Sequence, residues 1–190
     1  EKFSPQGLSS LLWASATLHV WNDGAEMVLL ELLHRCSKQP HSFNPQDMSN
    51  TLWATATLQL HAAAVEALVP VLIQMLSNVP EQFTEQGLSN MVWAAATLQM
   101  KSEHVDEILP AVLERLQTAP EKFIEQHLSN IFWAAAMLHA RGSDVAQITP
   151  AISQRVRAKV ERFDVQHIAN ILWAAAVLQQ SSSRADVRLR

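Results

Sequence analysis

Every fortieth residue from Trp13 onward is a tryptophan, at Trp53, Trp93, Trp133 and Trp173, with no insertion or deletion between them. Phe3, Phe43, Phe83, Phe123 and Phe163 keep the same step. Around each tryptophan the text is nearly constant: LSSLLWASATL, MSNTLWATATL, LSNMVWAAATL, LSNIFWAAAML and IANILWAAAVL. Self-similarity at this period is the mark of stacked-unit architectures, in which each unit buries its apolar face only against its neighbours. Two such architectures fit the period, a helical solenoid and a β-propeller. With 4 glycines in 190 residues and no tyrosine, the chain is poorly equipped for the many turns of a propeller, and the helical form is expected.

The expected fold is therefore all-α: an α-solenoid of antiparallel helix–turn–helix repeats, four and a half of them. The units fall at residues 3–42, 43–82, 83–122 and 123–162, followed by a half repeat at 163–180 and a polar tail at 181–190. The chain opens inside a unit and ends just past a first helix, so it reads as an excerpt of a longer repeat protein. Its apolar share of 48% and charged share of 17% suit a folding chain rather than a disordered one. No apolar run approaches the roughly 18 residues of a membrane span. The single cysteine, Cys36, excludes an internal disulfide and reads as a packed thiol on an apolar helical stripe.

Capping chemistry places the first helix of each unit. Ser4, Asn44, Thr84 and Asp164 share one phase, and each has a side-chain oxygen able to satisfy an orphan N–H. Ile124 stands there in the fourth unit, so that helix is expected to start less firmly. Pro5 and Pro45 suit the first helical position, and Glu85 and Glu125 suit the positive end of the helix dipole. Each phenylalanine precedes the cap, in hydrophobic-staple spacing with Leu8, Met48 or Leu88. The second helix reads as amphipathic, with Val65, Leu68, Val69, Leu72, Ile73 and Leu76 on one face and Val105, Ile108, Leu109, Val112, Leu113 and Leu116 repeating it. Pro70, Pro110 and Pro150 are expected to kink these helices rather than break them.

On the first helix, 100° per residue puts a Gln, an Asn, the Trp and a Thr on one face, as Gln46, Asn50, Trp53 and Thr57 show. Gln6, Gln46, Gln86, Gln126 and Gln166 form one row, and Asn50, Asn90, Asn130 and Asn170 a second that begins at Ser10. Amides both donate and accept, and indoles stack on bases, so such a face could read single-stranded RNA. The same residues could equally hold the units together, since repeated Trp can fill an inter-unit groove and repeated amides can bond backbone. A residue that discriminates between bases should change from unit to unit. Two columns do: Gly7, Asp47, Gly87, His127 and His167 at the third helical position, and His19, Gln59, Gln99, His139 and Gln179 at the helix end.

Charge is unevenly spread. Residues 1–150 hold 7 basic and 15 acidic side chains, net −8, and residues 151–190 hold 7 basic and 3 acidic, net +4. Arg155, Arg157, Lys159 and Arg162, with Arg184, Arg188 and Arg190, make a basic cluster that either touches a nucleic-acid backbone or is a solvated face. No Gly-rich phosphate loop, HExxH, Cys-x-x-Cys or Ser/His/Asp frame appears, and the 8 histidines have no metal-ligand spacing. An enzyme, a cofactor, a metal and a small-molecule substrate are accordingly not expected.

The motif at residues 43–58, Phe-Asn-Pro-Gln-x-Met-Ser-Asn-x-x-Trp-Ala-x-Ala-x-Leu, resembles the octotricopeptide-type repeats of organelle RNA-processing proteins. It is similar also to the helical repeats that accompany RAP domains. The resemblance covers essentially the whole chain and is most specific in the first helix. Those repeats are slightly shorter than the units here, which implies a divergent subgroup. It implies binding of mitochondrial or chloroplast RNA in support of transcript stability, processing or translation, with binding that falls steeply with salt. If one unit reads one base, the chain would span about four or five nucleotides. The other class of function is a protein-binding scaffold of the armadillo or HEAT kind, whose acidity suits a basic partner.

Overall fold

A computed structural model describes residues 3–20, 22–60, 62–140 and 142–188, without the side chains of residues 36–37, 62–66 and 181–188. The packed-thiol reading of Cys36, the place of Val65 on its helix face and the charges of Arg184, Arg188 and Arg190 lie outside the described residues. Among those described, the chain forms nine α-helices and no strand. They are α1 (Pro5–Thr17), α2 (Asp23–Lys38), α3 (Pro45–Thr57), α4 (Ala62–Asn78), α5 (Glu85–Thr97), α6 (Ser102–Thr118), α7 (Glu125–Met137), α8 (Gly142–Lys159) and α9 (Val165–Arg188).

The odd-numbered helices pack on one another in chain order, and the even-numbered ones do the same less extensively. Each odd helix through α7 also packs on the even helix that follows it. The core lies between these two layers. Leu88, Met91 and Val92 of α5 and Ile108, Val112 and Leu116 of α6 are buried in it, as are Met48, Leu52, Leu68, Leu72, Leu128, Ile131 and Ile148, whereas Leu11, Ile168 and Leu172 toward the two ends are exposed. Each such side chain contributes about 1.5–3 kcal/mol on leaving water. α4, α6 and α8 run unbroken through Pro70, Pro110 and Pro150.

The caps explain where the odd helices begin. The backbone N–H of Gly7 donates to Ser4 Oγ at 3.0 Å, that of Asp47 to Asn44 Oδ1 at 2.8 Å, that of Gly87 to Thr84 Oγ1 at 3.0 Å, and that of His167 to Asp164 Oδ1 at 2.8 Å. Ile124 makes no side-chain cap. There His127 reaches back, its Nδ1 accepting from the Ile124 N–H at 3.4 Å.

Their ends are equally regular. His19, Gln59, Gln99 and His139 take the left-handed conformation, with φ of 50–53°. The next N–H (Val20, Leu60, Met100, Ala140) closes on the carbonyl of Ser15, Thr55, Ala95 or Ala135. This is the Schellman stop, which normally recruits glycine. α9 has no such stop. It continues to Arg188, through most of the stretch that the sequence reading set apart as a polar tail.

Candidate functional site

The face carried by α1, α3, α5, α7 and α9 holds the residues singled out above, and they occupy three different environments. Gln6, Gln46, Gln86, Gln126 and Gln166 are exposed. Asn50, Asn90, Asn130 and Asn170, one turn later, are half-buried, and Gln166 Nε2 donates to Asn170 Oδ1 at 2.9 Å. Next come the indoles, which form a continuous ladder: centroids of successive tryptophans lie 6.3–6.4 Å apart, with planes tilted by 32–36°. Trp13 and Trp173, at the two ends, are 41% and 44% exposed, and the three between them are half-buried. Thr17, Thr57 and Thr97 end the stripe, each hydroxyl donating at 2.9 Å to the carbonyl of the Trp four residues earlier.

The third helical position points elsewhere. Asp47 is 4% exposed; one carboxylate oxygen accepts from Ser9 Oγ of the preceding helix at 3.1 Å, the other from the Asn44 N–H at 3.3 Å. Gly87 sits so close to α3 that a Cβ would meet Ser49 Oγ at 3.1 Å. His127 and His167 lie edge-on to Phe123 and Phe163, with centroids 6.3 Å apart. Ser89 and Ser129 hydroxyls donate at 3.4 Å to the backbone carbonyls of His127 and His167. This column therefore faces the seam between consecutive odd helices. Burial pulls the His127 pKa below its usual value, against the opposing pull of Glu85 and Glu125.

Of the basic cluster, Arg155 is turned inward. Its guanidinium pairs with Glu125 at 3.3 Å and donates to the Pro120 and Glu121 carbonyls. Arg115 does the same one helix pair earlier, pairing with Glu85 at 3.0 Å and donating to the carbonyls of Phe83 and Pro80. Burial pushes both glutamates up. Their own backbone N–H groups, the arginine hydrogen bonds and charges, and Lys122 or Arg162 outweigh it, so each carboxyl ends below its ordinary pKa. Arg35 donates to the Phe3 carbonyl but pairs with Glu31 at 2.6 Å, because Pro5 stands where the others have glutamate. Arg157 and Arg162 are exposed and Lys159 half-buried.

Sequence reasoning passed over these clamps. The available signal was internal: Glu85 goes with Arg115 and Glu125 with Arg155 at one constant spacing, while Pro45 goes with Met75. Among the described residues, no group of three or more His, Cys, Asp or Glu side chains could hold a metal. No described helix is long and apolar enough to cross a membrane. No family model matches the chain, and no curated protein is significantly similar to it.

Proposed function

We propose that the chain is an α-solenoid of forty-residue helix pairs that binds single-stranded RNA along its odd-helix face, and that it is not an enzyme. The observation that carries this reading is the regular polar stripe. Each helix pair presents one exposed glutamine and one tryptophan in register with the next. Exposed amides match the donor and acceptor edges of bases, and aromatic rings match their faces. The resemblance to octotricopeptide-type repeats points the same way and assigns the RNA to a mitochondrion or chloroplast.

Phosphate contact falls to the exposed part of the basic cluster. With Arg155 committed to Glu125, the cations left among the described side chains of that cluster are Arg157 and Arg162, both exposed, and the half-buried Lys159. Three such contacts give a slope of about −2 for log affinity against log salt, shallower than the sequence alone suggested. A filter-binding titration of a random RNA pool at 50 and 200 mM salt tests this. Retention at low salt that weakens with about that slope is expected; no retention at 50 mM would refute the proposal.

One observation favours a protein-binding scaffold instead: residues 1–150 carry net −8 and the odd-helix layer offers phosphate no counter-charge before Leu178. Saturable binding of a basic peptide, with no RNA retained at low salt, would identify that reading.

A further inference from the structure

We propose that the left-handed residues His19, Gln59, Gln99 and His139 are the base-reading positions of the RNA face, acting as neighbouring pairs across the clefts between successive helix pairs. This rests on the RNA-binding reading above and adds to it the residues that set specificity.

The first ground is backbone conformation. All four residues have φ of 50–53°, which glycine adopts freely and other L residues resist. A Schellman stop asks only for that conformation. The chain's four glycines all lie elsewhere, at Gly7, Gly24, Gly87 and Gly142. In their place the stop carries Gln or His, long side chains that both donate and accept hydrogen bonds. All four are exposed, so burial does not account for their presence. Strain held at a solvent-facing polar side chain leads from the outlier to a role in contact.

The second ground is geometry. Gln99 and His139 line one cleft of about 380 Å³, floored by Met100, Leu109, Met137 and Leu138. A flat heterocycle lying on that floor would set its edge against the amide on one side and the imidazole on the other. Ser102, Asp106 and Asp144 supply the remaining polar lining. Carboxylates accept from exocyclic amino groups and repel phosphate, so the part of an RNA suited to enter is a base bearing an amino group. Gln99 and His139 also lie two residues beyond Thr97 and its Met137 counterpart, at the end of the Gln–Asn–Trp stripe. Finally, this column varies, as His, Gln, Gln and His, while the glutamine row never changes, and a reader must vary where a scaffold need not.

The test is selection from a random single-stranded RNA library with three proteins: wild type, the swap Gln99→His with His139→Gln, and Gln99→Gly. Expected are a wild-type depletion of uridine at one position, a changed base preference there for the swap with total retention within about twofold, and loss of that preference for Gln99→Gly. Relief of strain should raise the Tm of Gln99→Gly by about 2–4 °C, which also certifies its fold. The same rise with an unaltered base preference would make the position a structural stop only and overturn the inference, leaving RNA binding intact. Failure of the wild type to retain any RNA at 50 mM salt would overturn the RNA reading itself, and this inference with it.

Discussion

Up to Leu178 the odd helices contain no lysine or arginine, whereas α2, α6 and α8 among the even helices carry Arg35, Arg115 and Arg155. Buried alanine is concentrated in the odd layer instead. Ala94, Ala95, Ala96, Ala134, Ala135 and Ala136 are all essentially fully buried in the odd layer. Small side chains let those helices approach closely over much of their length, and that leaves no room for a long charged chain. The even helices stand further apart, and their arginines reach across to grip the start of the odd helix in the same pair. Alanine thus joins one helix pair to the next, and arginine ties the first, third and fourth pairs together. The uncharged character of the candidate recognition face is a by-product of close packing beneath it.

The largest effect should come from crowding the alanine seam. Ala94→Leu adds three carbons on the flank of α5 where exposure is zero, and overpacking of this kind costs about 1–3 kcal/mol. We expect the upper end of that range, because the odd helices pack on one another more extensively than any other elements. Ala111→Leu on α6, where the alanine is only half-buried, should cost less than about 1 kcal/mol. Urea denaturation midpoints measure both, and equal losses would erase the distinction between the layers.

A smaller effect is expected at the clamp. Arg115→Met strips Glu85 of its partner in a pocket where both are about four-fifths buried, and an unsatisfied group there costs about 1–3 kcal/mol. The second helix pair shows how the same place works without charge, with Pro45 opposite Met75. The double variant Glu85→Pro/Arg115→Met copies that arrangement and should recover at least half of the loss. Additive losses in the double-mutant cycle would mean that the pair is not coupled.

The caps at Ser4, Asn44, Thr84 and Asp164, the missing cap at Ile124 and the buried stripe of α6 could be read in advance because they depend on local chemistry and helical period. The fate of Asp47 could not. Periodicity says which residues share a face, but not which flank of an odd helix the preceding odd helix will cover, so a column facing the seam read as a column facing solvent. The left-handed stops were hidden because Gln and His replace the glycine that would have announced them. Arg155 read as a free cation because its partner, Glu125, lies a whole helix upstream, a separation at which only a comparison of the units with one another reveals the pairing.

The smallest effect concerns α7, where a histidine reaches back to a start that has no side-chain cap of its own; His167 reaches back likewise in α9, but beside the Asp164 cap. His127 Nδ1 accepts the Ile124 N–H, which the protonated ring cannot do. Burial lowers its pKa from 6.5, with Glu85 and Glu125 opposing. A lowered pKa means that the unfolded chain binds the proton more readily than the folded one. The contribution to stability is therefore full above about pH 6.5 and is lost as the pH falls from there through the folded value. Glutamine is a normal capping-box residue at this position and does not titrate. Urea midpoints at pH 7.5 and 5.5 should show a fall for the wild type that is smaller in His127→Gln, so the two proteins draw closer in acid. Glu85 and Glu125 do not confuse the comparison: their lowered pKa values confer stability that persists above 4.5 and fades only below it. Parallel decline of wild type and variant would show that the titrating group lies elsewhere.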